Sequence, residues 1–137
     1  MKLLSIAVPC YNSAAYMDRC IRALLHGGEE VEILIVDDGS QKDNTGEIAD
    51  RYEREYPTIC RAIHQVNGGH GAAVMTGLRN ASGVFFKVVD SDDWLDRDSL
   101  EKVLDYVRSQ IGASESTDLV IANYVYEKVH EGTHTTM

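Results

Sequence analysis

Short runs of Val, Ile and Leu alternate along the chain with longer stretches whose apolar positions recur every three or four residues. The first run predicts a strand over Leu3–Val8, ended by Pro9. The next stretch predicts a helix over Ala14–Leu25 that gathers Met17, Cys20, Ile21, Leu24 and Leu25 on one face, with Gly27-Gly28 closing it. A strand over Glu32–Val36 runs into Asp37-Asp38-Gly39-Ser40, and a helix over Thr45–Tyr56 follows, ended by Pro57. Then come a strand over Ile59–His64 and a Gly-rich entry into a helix over Gly71–Asn80. The most apolar strand, Val84–Val89, delivers the chain into Asp90-Ser91-Asp92-Asp93. A helix over Asp98–Ser109, with Leu100, Val103, Leu104 and Val107 at helical spacing, and a strand over Leu119–Val125 complete the series. Such alternation predicts an α/β fold with a mainly parallel central sheet. Residues 128–137 read as a poorly ordered tail.

At 137 residues, 44% of them hydrophobic, the chain can build one core, so one domain is expected. The formal net charge of -9, with no basic run, argues against nucleic acid as a partner. Any phosphate ligand would need a cation or a helix N-terminus to offset that field. The three cysteines form no CxxC pair and cannot all be bridged, the pattern of buried thiols in a reducing compartment, so a cytoplasmic location is expected. No stretch approaches the roughly 20 apolar residues of a membrane-spanning helix, and Pro9, Asn12 and Asp18 interrupt the apolar start before a signal peptide can form.

In open α/β sheets ligands settle at the carboxyl ends of the strands, and two acidic clusters fall there. Asp90, Asp92 and Asp93 bring three carboxylates to the end of one strand, where desolvation and mutual repulsion call for a cation. Hard oxygen ligands favour Mg²⁺ or Mn²⁺. Helix capping accounts for Asp96 or Asp98, but not for the three earlier carboxylates. A calcium loop fails because Trp94 and Leu95 occupy its fifth and sixth positions. Asp37-Asp38-Gly39-Ser40 combines two acceptors with a turn glycine, suited either to a base N–H or ribose hydroxyl or to a plain solvated turn.

Asn67-Gly68-Gly69-His70-Gly71 allows close backbone approach, yet Gly69, Gly71 and Val74 make a poor dinucleotide fingerprint, and no Walker loop occurs. His64 and His70 have no partner at a zinc-ligand spacing and are expected to face solvent or cap a helix. No Gly-x-Ser-x-Gly elbow supports nucleophilic hydrolysis.

Taken in order, Val8-Pro9-Cys10-Tyr11-Asn12, Ile35-Val36-Asp37-Asp38-Gly39-Ser40, the Asn67–Gly71 turn with Gly77 and Asn80-Ala81-Ser82-Gly83, and Asp90-Ser91-Asp92-Asp93 resemble family 2 glycosyltransferases over Leu3–Leu104. The resemblance implies a GT-A fold, a Rossmann-like α/β/α sandwich, with a nucleotide-diphosphate sugar donor, usually a UDP-sugar, and inversion at the anomeric carbon. It implies that Pro9 and Tyr11 line the base pocket, Asp38 accepts from the base and Asp37 shapes the turn, with Gly71 also at the nucleotide-sugar site. Asp90 would face the ribose or sugar, and Asp92 or Asp93 the Mn²⁺ or Mg²⁺ that bridges the phosphates. Residues 1–127 are thus expected to form the donor-binding part of a longer enzyme, with the catalytic base beyond this chain. The acceptor would be a saccharide or a lipid-linked molecule in cell-envelope polysaccharide or glycolipid synthesis, with any membrane association falling to the missing portion.

Two other classes compete. A receiver domain is also a small α/β unit with paired aspartates, but its pair follows the first strand, whereas here it follows the second. A noncatalytic nucleotide- or sugar-binding module would differ only in lacking turnover.

Overall fold

A computed structural model describes residues 2–113. Four strands, β1 (Leu4–Cys10), β2 (Val31–Asp38), β3 (Cys60–Gln65) and β4 (Phe85–Val88), alternate with four α-helices. These are α1 (Met17–Leu24), α2 (Thr45–Glu55), α3 (His70–Asn80) and α4 (Arg97–Ala113). All strand pairs are parallel, in the order β3-β2-β1-β4, so the expected α/β fold with a parallel sheet is present. The order also differs from the receiver-type arrangement, in which the second strand lies at the edge and the first separates it from the third. The predicted strand Leu119–Val125 and the tail 128–137 lie outside the described residues. Among those residues, no helix is long and apolar enough to cross a membrane.

Strand alternation and register sort the side chains into two faces. Ile6, Ile33 and Cys60 share one face, continued toward the carboxyl ends by Cys10, Asp37 and His64. Helix α2 packs on this face. Ser5, Ala7, Glu32 and Asp38 share the other, which α3 covers. Gly77 makes the α3 contact possible: a Cβ there would lie 2.5 Å from the Ala7 Cβ, so any side chain would push α3 off β1. Leu4, Ile6, Val8, Met17, Ile21, Leu24, Ile33 and Ile35 are fully buried in one continuous core.

Three boundaries differ from the sequence expectation for identifiable reasons. Pro9 does not end β1; it stays in the strand, in register with Val36. The β1–β4 register ends at Ala7↔Val88, and Pro9 faces the β4 side beyond that ladder, so its missing N–H is not needed. Helix α1 begins at Met17 rather than Ala14, because Ser13 is held by Thr45 and Ser91 and the chain turns before it winds. It ends at Leu24, and a 3-10 segment, Leu25–Glu30, with Gly28 at φ 66° leads into β2.

The Asn80-Ala81-Ser82-Gly83 motif has a structural function at the opposite edge of the sheet. Glu32, buried on the α3 face, accepts from the Ser5 hydroxyl at 2.7 Å and from the Ser82 N–H and hydroxyl at 2.9 Å each. Gly83 N–H in turn donates to the Ser5 Oγ at 2.8 Å. Burial alone would raise the Glu32 carboxyl, but these three donors outweigh it and hold the group below its usual value. Glu32→Ala is expected to destabilise the fold by about 2–4 kcal/mol, read from denaturant unfolding. Since the folded-state value is depressed, this contribution is present above pH 4.5 and is lost as pH falls through the folded value. The gap between wild type and variant should therefore narrow in acid.

Candidate active site at the carboxyl ends of the strands

All the chemistry predicted from sequence falls at one edge of the sheet, where β1 to β4 deliver their following loops. Because Asp37 and Asp38 are consecutive in β2, their side chains point to opposite faces, and the acidic pair divides into two separate roles.

On the α3 face, Asp38 is 3% exposed. Its Oδ1 accepts from the Gln65 side-chain amide and from the Gly68 N–H, each at 2.8 Å. Its Oδ2 accepts from the Gly69 N–H at 2.9 Å and from the Asn67 amide at 3.2 Å. Burial would raise this carboxyl, yet the Gln65 amide and the two glycine N–H groups together lower it. Gln65 is fixed by the Thr76 hydroxyl of α3 at 2.5 Å. In this conformation Asp38 therefore anchors the Gly-rich turn with all its acceptor positions.

On the α2 face, Asp37 Oδ1 accepts from the Ser40 N–H at 3.0 Å, which closes the turn that Gly39 makes at φ 73°. The Ser40 hydroxyl accepts from the Asn12 N–H at 2.8 Å, tying the turn to the loop after β1. Asn12 takes a left-handed φ of 49°, which Asn tolerates better than most residues. Tyr11, 54% exposed, follows Pro9 and Cys10 beside this junction.

The third component is the acidic loop after β4. Asp90, Asp92 and Asp93 each offer a carboxylate oxygen, all within 4.8 Å of one another. Like charges at that spacing repel by about 1 kcal/mol per pair even at the dielectric of water. A divalent cation would relieve the repulsion, and an all-oxygen donor set suits Mg²⁺ or Mn²⁺. The loop is held by an Asp93 N–H bond to the Asp90 carbonyl at 2.9 Å and by hydroxyl contact between Ser91 and Ser13 at 2.8 Å. Below it, Lys87 is 2% exposed, and burial pushes its ammonium down to about 8 against the pull of Asp93. Trp94, just past the cluster, lies under the Arg19 guanidinium at 3.5 Å.

Both histidines reach solvent as expected, and each also pairs with carboxylates that chain spacing did not point to. His64 bonds Asp37 Oδ2 through Nδ1 at 2.9 Å and Asp50 through Nε2 at 2.7 Å. His70 opens α3 and places Nε2 2.7 Å from Asp90 Oδ1, joining the Gly-rich turn to the acidic loop. Their partners lie on β2, on α2 and in the loop after β4, so spacing along the chain could not reveal them. Gly71, in the first turn of α3, has nothing within 4 Å of where a Cβ would stand, so its backbone lies open to a ligand. Burial raises all three thiols above their usual range, which leaves none nucleophilic at neutral pH.

The family described as glycosyl transferase family 2 matches residues 5–132. Among curated relatives, the glycosyltransferase GlyG of Streptococcus pneumoniae is 35% identical over 125 residues, covering 90% of this chain and 39% of its own. The minor teichoic acid biosynthesis protein GgaA of Bacillus subtilis is 30% identical over 138 residues, covering 96% of this chain and 30% of its own. This chain thus spans less than two fifths of the length of the curated relatives it matches here, 39% of the one and 30% of the other. Among solved structures, S. aureus TarS 1–349 in complex with UDP-GlcNAc superposes with a TM-score of 0.67 at 27% identity, over 81% of this chain and 32% of that one. A mannosyltransferase from Pyrobaculum calidifontis, in complex with GDP-Man and Mn²⁺, shares the fold with a TM-score of 0.66 at 24% identity, over 76% of this chain and 32% of that one. The parallel sheet with its acidic clusters on the carboxyl edge is the GT-A arrangement, and the chain belongs to glycosyl transferase family 2.

Proposed function

We propose that this chain binds the nucleotide-diphosphate sugar donor, a UDP-sugar, of an inverting glycosyltransferase. The observation that carries the reading is the group Asp90, Asp92 and Asp93, which converges at the end of β4 beside the Tyr11 and Asp37–Ser40 turns. Asp92 and Asp93 would hold Mn²⁺ or Mg²⁺, which supplies Lewis-acid stabilisation to the departing diphosphate. Asp90, whose Oδ1 is paired with His70, would face the ribose or sugar, and the open backbone of Gly71 would admit close approach of the donor. Pro9 and Tyr11 line the base pocket. Asp38 accepts the base N–H by exchanging one of its side-chain donors, Gln65 or Asn67, while the Gly68 and Gly69 N–H bonds keep the turn in place. The UDP-GlcNAc held by TarS supports a uridine donor, and the Mn²⁺ held by the archaeal mannosyltransferase is consistent with the oxygen-only donor set.

No residue of this chain is assigned as the base that deprotonates the acceptor hydroxyl. The acceptor is proposed to be a saccharide or lipid-linked molecule of cell-envelope polymer synthesis, a reading supported by the teichoic acid relative. Isothermal titration with UDP, with and without Mn²⁺ and with ADP as control, tests the donor reading. UDP should bind in preference to ADP and more tightly with Mn²⁺. Tyr11→Ala should weaken UDP by roughly tenfold even without metal, on the scale of a lost stacking contact. Equal binding of both nucleotides, or of neither, would remove the uridine assignment.

A further inference from the structure

A buried carboxylate bonded to an imidazole that is itself braced by a second carboxylate is an arrangement that fixes direction. Here the three groups come from three elements: Asp37 from β2, His64 from β3 and Asp50 from α2. We propose that His64 is a positioning residue for nucleotide binding: braced by Asp50, it aims Asp37 so that the Asp37–Ser40 turn and the Asn12 loop keep the shape of the base pocket. The inference rests on the donor-binding reading and adds to it a residue that touches no ligand.

Four observations converge. The Asp37 side chain is 9% exposed, while those of His64 and Asp50 are 45% and 54% exposed, so the chain of contacts runs from solvent to the turn. The oxygen of Asp37 that His64 does not hold takes the Ser40 N–H. Helix α2 presses on the pair without a side chain: a Cβ at Gly46 would lie 2.9 Å from Asp37 Oδ2 and 3.4 Å from the His64 ring. Finally, both ring nitrogens face carboxylate acceptors, and an imidazole donates from both only when protonated.

The charged groups facing the ring are therefore Asp37 from β2 and Asp50 from α2. Arg61, on the same strand, turns to Asn80, and Glu53 of α2 accepts from the Ala62 N–H. The hydrogen bonds that the ring donates to Asp37 and Asp50 raise the His64 value above 6.5, so the doubly bonded form is complete below that pH and is lost as pH rises through the folded value. Neutral His64 keeps a donor for one carboxylate and presents a lone pair to the other.

The test uses the 137-residue chain with UDP and Mn²⁺ as probes, comparing wild type with His64→Gln, His64→Ala and Asp50→Asn from pH 6 to pH 9. Wild type should lose roughly tenfold of its UDP affinity relative to His64→Gln across this range, a difference that cancels the titration of the nucleotide itself. Asp50→Asn, which leaves the Asp37 contact in place, should shift the pH midpoint downward. Exchange of the Ser40 amide, followed by NMR without nucleotide, should be slow in wild type at pH 6 and faster in both His64 variants. Parallel pH dependence in wild type and His64→Gln, or equal Ser40 protection in all variants, would overturn the proposal. Failure of wild type to bind UDP at any pH would instead remove the donor reading, and the Ser40 exchange would still decide whether His64 holds the turn.

Discussion

Asp92→Asn is expected to reduce the Mn²⁺-dependent affinity for UDP by about 10- to 100-fold while leaving the metal-free fold as stable as before or slightly more so. The two signs follow from one observation. Asp92 is the exposed member of three carboxylates whose oxygens lie within 4.8 Å of one another. Without a cation they repel, and neutralising one of them relieves the loop. With a cation they attract it jointly, and removal even of groups that only support a metal ligand costs affinity on that scale. Titration of UDP with and without Mn²⁺, beside thermal unfolding in EDTA, measures both signs. Unchanged Mn²⁺-dependent affinity would place the cation elsewhere, and a large loss of metal-free stability would make Asp92 a structural residue.

Asp38→Ala should carry the largest stability effect at the site, about 2–4 kcal/mol, corresponding to a melting point lowered by roughly 10 °C. One substitution strips the acceptor from Gln65, Asn67, Gly68 and Gly69 together, and water can reach only part of that cluster. Asp38→Asn keeps one acceptor oxygen and should recover about half of the loss. The wild-type advantage should shrink in acid, because the Asp38 value is depressed: its contribution is present above pH 3.8 and is lost as pH falls through the folded value. Unfolding curves at pH 7 and pH 3 test magnitude and sign together. A loss well below 1 kcal/mol would mean that the Gly-rich turn does not depend on Asp38.

The two aspartates also show where reading along the chain stops. Asp37-Asp38 is visible as an acidic pair after a strand, and its place at the carboxyl edge of the sheet follows from that strand alone. That the two members face opposite sides of the sheet follows from alternation. What each one meets there depends on β3 and α3 lying alongside, an outcome set by strand order and register. The same holds for His64, which lies opposite Asp37 only because β2 and β3 pair as they do. His70 meets Asp90 because β3 and β4, at the two ends of the strand order among the described residues, send their loops across the same carboxyl edge. The Asn80–Gly83 stretch belonged to the recognisable motif set, yet its function proved structural, since Glu32 and Ser5 collect it at the far end of the sheet.

Hydrophobic period, turn residues and the positions of acidic clusters relative to strands were sufficient for the α/β class, the element order and the gathering of Asp90, Asp92 and Asp93 at the end of β4. These are local properties: a strand or helix signals itself through neighbours a few residues apart. The division of labour between Asp37 and Asp38, the bracing of His64, the His70–Asp90 contact and the retention of Pro9 inside β1 arose only in the tertiary structure. Each depends on groups brought together across the sheet, and hydrogen-bond partners separated by tens of residues leave no periodic trace in the chain that carries them.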